Sequence, residues 1–463
     1  MMPYSVLFVP HQVPAAREMK LVADQCVKGG LNTIFLSLRE DLKECLLTEG
    51  VPSDNILSLK AAGNGAEVRK ERSWLAELKS YLGNTTIGNY IHKRRLSDNG
   101  RVQTRIEQEL ASQQSLKAEL EAVLDRCEPD VVGLVSDRTV VDALLVMLCE
   151  ERGIPTVLIP FAVGADKMDL PRFRSQPEYD AKLFSSWAAK FPGQVQPDIR
   201  TGTPRFYYPP WVMGALDTMG CLPENPWVNG GGGVNFVLAE SHNVRERYID
   251  GGCPEEKIVV TGMCSHDNLY EVYTRRDEVR KELAAKYQFD SASPLVVFSV
   301  SAFYELGMKT WDEQYDFVTK QARVLERFDG PVLASLHPKM NPADYGFLEE
   351  RFGIKLLSER LSNVLPVADV FIATIASTTA GWAELCRIPL ILVDDLINEC
   401  EYYTPTDTAV FFESLKDSTS FERNLGQALN VVNATDAAPS MFDGNSSVRI
   451  CSALKTACGG NPN

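Results

Sequence analysis

The run from Asp369 to Asp394, DVFIATIASTTAGWAELCRIPLILVD, constrains this chain more than any other. An apolar strand over Val370–Ala373 leads into a turn of small and hydroxyl side chains, with Thr374, Ser377, Thr378 and Thr379. A helix over Ala380–Cys386 and a second strand over Pro389–Val393 follow. Strand, turn, helix and strand in this order make a βαβ unit, which calls for a parallel sheet covered by helices. A turn of this kind lets backbone N–H groups approach an anion, and the helix after it aims the positive end of its dipole at the same place. Glu384, in the second turn of that helix, stands where a carboxylate accepts hydrogen bonds from ribose hydroxyls. The unit reads as half of a nucleotide site.

Strand and helix patterns alternate along most of the chain. In the first half, strands are expected at Ser5–Val9, Thr33–Leu36, Asn55–Ser58, Val131–Val135 and Thr156–Ile159, with the clearest helices at Ala15–Lys28 and Asp142–Arg152. Between about Glu67 and Asp125 no strand pattern occurs, and IEQELASQQSLKAELEAVL carries apolar residues at helical spacing. An inserted helical subdomain is expected there. The segment Leu222–Val234 holds two prolines and four consecutive glycines, Gly230–Gly233. Such a stretch serves as a linker or as a loop where backbone approaches a ligand, and its position favours a domain boundary. A second alternating series follows, with strands at Phe236–Ala239, Ile258–Val260, Leu295–Val300, Val332–Leu336, Val370–Ala373 and Leu390–Val393, and helices at Phe421–Val432 and Val448–Cys458.

A chain of 463 residues exceeds what one core usually covers. The expected organisation is α/β, with two doubly wound Rossmann-like domains facing a central cleft. The amino-terminal domain would span 1–228 with its insert at about 67–125, and the carboxyl-terminal domain 235–415. Helices in 416–463 would pack back across both. Ligands of open α/β sheets bind at the carboxyl edges of the strands, so the cleft is the expected site.

The net charge of −15 excludes a general nucleic-acid binder, which needs a basic surface. One local exception, His92 to Arg95 with Arg101 and Arg105, is a solvated helix face or a contact for an anionic acceptor or lipid head groups. No apolar run reaches the ~18 residues of a membrane span, and MMPYSVLFVP reads as a first strand rather than a signal peptide, so a cytoplasmic location, with peripheral contact to the inner membrane, is expected. The eleven cysteines contain no C-x-x-C spacing and mostly sit in apolar contexts, which predicts reduced core thiols.

Several polar residues fall at expected strand ends. His337, in His337-Pro338-Lys339, can donate to an anionic leaving group, and Lys339 can balance its charge. Ser299 and Ser301 fall in the first turn of the second series and are further candidates for holding a donor phosphate; that turn lacks the G-x-G-x-x-G pattern of a dinucleotide cofactor. Asp137 ends the apolar run VVGLVSD and is the leading candidate base, with His11 in reserve; Asp137 also suits a helix cap near Thr139. Arg138 can hold a carboxylate. No D-x-D motif sits at a strand end, so no metal and no cofactor are expected, and dipole, hydroxyl and basic groups would stabilise the leaving group instead.

Three segments, NFVLAESHNVRERYIDGGCPEEKIVVTGMCSHDNLYE, SLHPKMNP and DVFIATIASTTAGWAEL, together with PDVVGLVSDRTVVDALLVMLCEERGIPTVLIP, resemble the GT-B glycosyltransferases and the related UDP-N-acetylglucosamine 2-epimerases. The HP dipeptide and the later Ser-Thr pair look like those of bacterial surface-polysaccharide transferases that use CMP-sialic acid, CMP-Kdo or CDP-linked donors. The resemblance implies that His337 and Pro338 contact the nucleotide, that Ser377, Thr378 and Thr379 hold its phosphate, and that the acceptor is a capsule or lipopolysaccharide glycan; the local charge of Lys93, Arg94, Arg95 and Arg138 makes these the candidate acceptor contacts. Glu384 matches the ribose glutamate of UDP-sugar enzymes and leaves the base open. Where the epimerases carry GTRPE-, HRREN- and HVEAGLR-like segments, this chain has PHQVPAARE, SVSAFYELG and IPFAVGADK. Transfer is therefore expected ahead of epimerisation or hydrolysis of a UDP-amino sugar, with a non-catalytic binding protein as the remaining alternative.

Overall fold

The computed structural model describes residues 4–59, 98–161, 171, 174–199, 201–305, 307, 309–374, 379–393, 409–413, 418–431 and 441–459. The chain divides into two compact units, residues 1–263 with 447–463 and residues 264–446.

Unit 1 is built on strands β1 (Ser5–Val9), β2 (Asn32–Ser37), β3 (Ile56–Ser58), β4 (Val131–Leu134) and β5 (Thr156–Leu158). A small antiparallel pair, β6 (Val195–Pro197) with β7 (Pro204–Phe206), precedes β8 (Phe236–Ala239) and β9 (Ile258–Val260). The main sheet runs β3-β2-β1-β4-β5-β8-β9 and is parallel throughout. Strands β1 and β4 are buried along their whole length, which is why they read as unbroken apolar runs. Helices such as Val13–Lys28 and Val140–Arg152 cover the sheet. The expected insert contains one long helix, Asn99–Cys127, which packs on the helix Pro210–Met219. Its Val102 and Ile106 sit in one core with Met213, Leu216 and Trp227.

Unit 2 is built on β10 (Val296–Ser299), β11 (Val332–Ser335), the two-residue β12 (Lys355–Leu356), β13 (Val370–Thr374), β14 (Leu390–Val393) and β15 (Val410–Glu413). Its sheet, β12-β11-β10-β13-β14-β15, is parallel throughout. Strand order reverses at β10, whose successor β11 lies on one side and β13 on the other, and such a switch point opens a crevice at the carboxyl edge.

Both sheets are pinned at their amino edges by the same device. In unit 1, Asp130 accepts the N–H of Ser5 at 2.7 Å; in unit 2, Asp369 accepts the N–H of Leu295 at 2.7 Å. Each aspartate stands just ahead of the strand that neighbours the central one. This registers β4 against β1 and β13 against β10.

The boundary expected at 229–234 is corrected to 263–264. Strands β8 and β9 belong to the first sheet, because β8 pairs with β5 through Val157 and Phe236. Of the carboxyl-terminal helices, Ser418–Leu429 lies in unit 2, whereas Ser446–Ala457 lies, from Ser447 on, in unit 1, where Arg449 donates to the Thr261 carbonyl at 2.9 Å.

Candidate functional site

In unit 1 the candidates stand at the carboxyl ends of β1 and β4. His11 follows β1, two residues ahead of the helix Val13–Lys28. Its Nε2 lies 2.8 Å from Asp142 Oδ1; the Asp142 side chain is fully buried and that of His11 is 18 % exposed. Asp142 is fixed by a capping box at the start of its helix. Its Oδ2 accepts from the Thr139 N–H at 3.1 Å and the Thr139 hydroxyl at 2.8 Å, and the Asp142 N–H donates back to that hydroxyl. Asp142 Oδ1 is thereby directed at the imidazole. Burial alone would lower the His11 pKa, but the negative charge of Asp142 at this distance prevails and raises it. An imidazole set against a fixed carboxylate has the arrangement a general base needs, with Nδ1 as the nitrogen turned away from Asp142.

Asp137, the leading candidate in the sequence, is held by backbone groups of its own chain. Its side chain has no exposure, and both oxygens accept backbone N–H groups, Oδ1 from Gly230 at 3.1 Å and Oδ2 from Gly232 at 2.7 Å. Burial pushes its pKa up, against these two N–H groups and the Arg138 charge. The helix cap it also suited is supplied by Thr139. The glycine run is accordingly an intramolecular anchor rather than a linker. A side chain at position 232 would place its Cβ 2.0 Å from the Asp137 carbonyl oxygen, and one at position 231 would lie 2.1 Å from the Asn225 carbonyl oxygen. Only glycine permits that approach.

Arg138 is buried, its N–H donating to Ser136 Oγ at 3.1 Å and its carbonyl accepting from the Tyr208 hydroxyl. Lys93, Arg94 and Arg95 lie outside the described residues; of the same basic group, Arg105 packs its guanidinium 4.3 Å from the centroid of Trp211.

In unit 2 the candidates gather at the carboxyl edge around the switch point. Ser299 ends β10 and Ser301 follows, buried, while His337 follows β11. A tight turn shapes the His337 segment: the Met340 N–H donates to the His337 carbonyl at 2.8 Å, and the His337 N–H points at Met340 Sδ at 3.2 Å. The Lys339 N–H donates to His337 Nδ1 at 3.2 Å, so the neutral ring carries its proton on Nε2. Burial, then the Lys339 charge, lowers the His337 pKa against a smaller opposing effect of Glu305. At neutral pH this histidine is an uncharged hydrogen-bond donor. Pro338 and Lys339 are exposed.

Thr379 opens the short helix Thr379–Leu385, which also carries Glu384, half-buried. Ser377 and Thr378 lie outside the described residues. Two residues absent from the sequence expectations join this edge. Glu305 accepts the Tyr345 hydroxyl at 2.8 Å, and the fully buried Gln314 donates through Nε2 to the Ser301 carbonyl. Among the described residues no group of three or more His, Cys, Asp or Glu could hold a metal ion, and no helix is long and apolar enough to cross a membrane.

Two parallel Rossmann-like sheets in tandem, with the terminal helix returned to the first, define a GT-B-type α/β fold. The structure of the UDP-GlcNAc 2-epimerase from Methanocaldococcus jannaschii in complex with UDP-GlcNAc and UDP is similar over 98 % of this chain and 100 % of that one, with a TM-score of 0.51 at 12 % identity. The Neisseria meningitidis UDP-GlcNAc 2-epimerase bound to UDP-GlcNAc (TM-score 0.49, 13 % identity, 98 % and 100 % covered) and the spinosyn rhamnosyltransferase SpnG (0.48, 11 %, 98 % and 98 %) also align. At these identities the likeness establishes the fold alone, and it rests on the first of the three. No protein-family model matches the chain, and no curated protein matches it in sequence.

Proposed function

We propose that this protein is a glycosyltransferase that moves a sugar from a nucleotide-activated donor to an acceptor hydroxyl without a metal ion. The observation that carries the reading is the 2.8 Å contact between His11 and the buried Asp142, an oriented base at the carboxyl edge of the unit 1 sheet. In the transfer step the acceptor oxygen bonds to the anomeric carbon and its proton passes to His11 Nδ1. The bond from that carbon to the phosphate oxygen breaks, and the nucleotide leaves with the electron pair. Asp142 then faces an imidazolium and stabilises it. His337, neutral with its proton on Nε2, is suited to donate to the leaving phosphate, and Lys339 to balance its charge. Asp137 has no part in this step.

The donor implied by His337-Pro338 and Ser377-Thr378 is a CMP-linked ulosonic acid such as CMP-Kdo, with a bacterial surface glycan as acceptor. A UDP-N-acetylhexosamine is the competing donor, since Glu384 fits either nucleotide. Epimerisation is the second chemistry the fold accommodates, but in the segments PHQVPAARE, SVSAFYELG and IPFAVGADK its acid and base residues are missing from their expected places.

The test is to incubate the protein with CMP-Kdo, CMP-sialic acid and UDP-GlcNAc, alone and with a crude glycan acceptor fraction, and to follow released nucleotide and products by mass spectrometry. Nucleotide release that rises with acceptor and is lost in His11→Gln supports transfer. Conversion of UDP-GlcNAc without an acceptor, insensitive to His11→Gln, overturns it in favour of an epimerase.

A further inference from the structure

Three polar atoms in unit 2 are buried without a hydrogen-bond partner within one connected cluster: Ser301 Oγ, Glu305 Oε2 and Gln314 Oε1. The cluster is held from all sides. Tyr345, fully buried, donates to Glu305 Oε1 at 2.8 Å, and Gln314, also fully buried, ties its amide N–H to the Ser301 backbone. Glu305 and Gln314 are thus each held by a bond at their other polar atom, which leaves Oε2 and Oε1 as the unpaired ends. Folded proteins leave few buried polar atoms unpaired, and a group of them at a sheet's carboxyl edge marks a place where something else completes the bonding. Two of the three, a carboxylate oxygen and an amide carbonyl, only accept; the serine hydroxyl both accepts and donates. What fits is a group with hydrogen-bond donors, not an anion.

The neighbouring side chains assign the rest of the ligand. Glu305 lies in the segment that follows β10 and His337 in the one that follows β11, its parallel neighbour, so the two share one edge. His337 Nε2–H and Lys339 offer donors and positive charge, Glu305 and Gln314 offer acceptors. We propose that Ser301, Glu305 and Gln314 form the hydroxyl-binding end of the unit 2 ligand site, with Glu305 Oε2 accepting from a hydroxyl of the ribose or of the transferred sugar while the phosphate lies towards His337 and Lys339. This deepens the glycosyltransferase reading and rests on it. Glu305 falls in SVSAFYELG, the segment that also holds Ser299 and Ser301 and departs from the epimerase pattern.

The experiment is isothermal titration of wild type, Glu305→Gln and Tyr345→Phe with CMP, CDP, UDP, GDP and ADP, with the 2′,3′-dideoxy form of whichever binds, and with its sugar conjugate, folding being checked by thermal denaturation. If the ribose is the source, removing its hydroxyls weakens wild-type binding about tenfold or more, the value of a hydrogen bond to a charged group, and Glu305→Gln weakens the ribonucleotide as much while leaving the dideoxy form unchanged. If the transferred sugar is the source, Glu305→Gln weakens only the sugar conjugate. Tyr345→Phe gives a smaller loss in the same ligand. The dideoxy comparison on wild type needs no variant and stands if either substitution fails to fold. Equal affinities in wild type and a folded Glu305→Gln for every ligand, the result if ordered water alone fills the cluster, overturn the proposal and leave the transferase reading standing. Failure of wild type to bind any nucleotide overturns both.

Discussion

The two sheets begin alike and end differently. Each central strand is pinned at its amino edge by an aspartate one strand over, Asp130 on Ser5 and Asp369 on Leu295, both at 2.7 Å. At the carboxyl edges the polar groups part company. In unit 1, Asp137 has both oxygens bound to glycine N–H groups of its own chain, and Asp142 keeps Oδ2 in its helix cap while Oδ1, without a hydrogen bond, meets the His11 ring at 2.8 Å. In unit 2, Ser301, Glu305 and Gln314 each keep a buried atom unpaired. A carboxylate at a strand end is therefore structural or functional according to what meets its oxygens, and the strand end alone does not decide.

This contrast can be broken in four ways. The largest effect is expected at His11: replacement by Gln should lower turnover by about 10²–10⁴-fold, the usual contribution of a general base. Asp142→Asn should give a comparable loss. Because the folded pKa of His11 is raised above 6.5, the acid limb of kcat/KM should lie above that value and move down in Asp142→Asn. Full turnover in His11→Gln would remove the dyad from the mechanism.

At Asp137 the effect should fall on stability instead. Asp137→Ala leaves two buried N–H groups unpaired, a loss of roughly 2–5 kcal/mol measurable by urea denaturation, while turnover per folded molecule stays within a few fold. Gly232→Ala should destabilise similarly, since the added Cβ meets the Asp137 backbone. A stable Asp137→Ala protein without turnover would restore Asp137 to catalysis. Third, His337→Ala should raise the nucleotide Kd about tenfold, or ~1.4 kcal/mol, without lowering the melting temperature by more than a few degrees.

The smallest effect is on stability with pH. A histidine whose folded pKa is raised contributes stability fully below its unfolded pKa and loses that contribution as pH rises through the folded value. The melting-temperature gap between wild type and His11→Gln should thus be wider near about pH 6 than near about pH 9. A gap that widens with pH would contradict the pairing with Asp142.

The sequence was most legible where burial leaves one solution. Strand expectations such as Ser5–Val9, Phe236–Ala239 and Leu390–Val393 match the structure residue for residue, since a strand buried on both faces must be apolar throughout. The pair β6–β7 and the two-residue β12 were illegible because three or fewer residues carry no periodicity. Gly230–Gly233 misled because freedom to flex and permission for close approach both call for glycine; which one applies depends on Asp137, some ninety positions away. Asp142 was hidden within a helix start that reads as apolar, although Thr139-x-x-Asp142 has the spacing of a capping box and could have shown a fixed carboxylate. Glu305 carried no signal at all, since its significance lies in an unpaired oxygen that only the fold reveals.

The central claim, a nucleotide site on unit 2 organised by His337, is tested most directly by thermal shift of wild type and His337→Ala with CMP, CDP, UDP, GDP and ADP. A nucleotide at ~100 times its Kd adds roughly 2.7 kcal/mol to the stability of the folded protein, a shift of a few degrees. The account predicts such a shift for at least one pyrimidine nucleotide in wild type and a clearly smaller one in His337→Ala. No shift with any of the five, or equal shifts in both proteins, would contradict it.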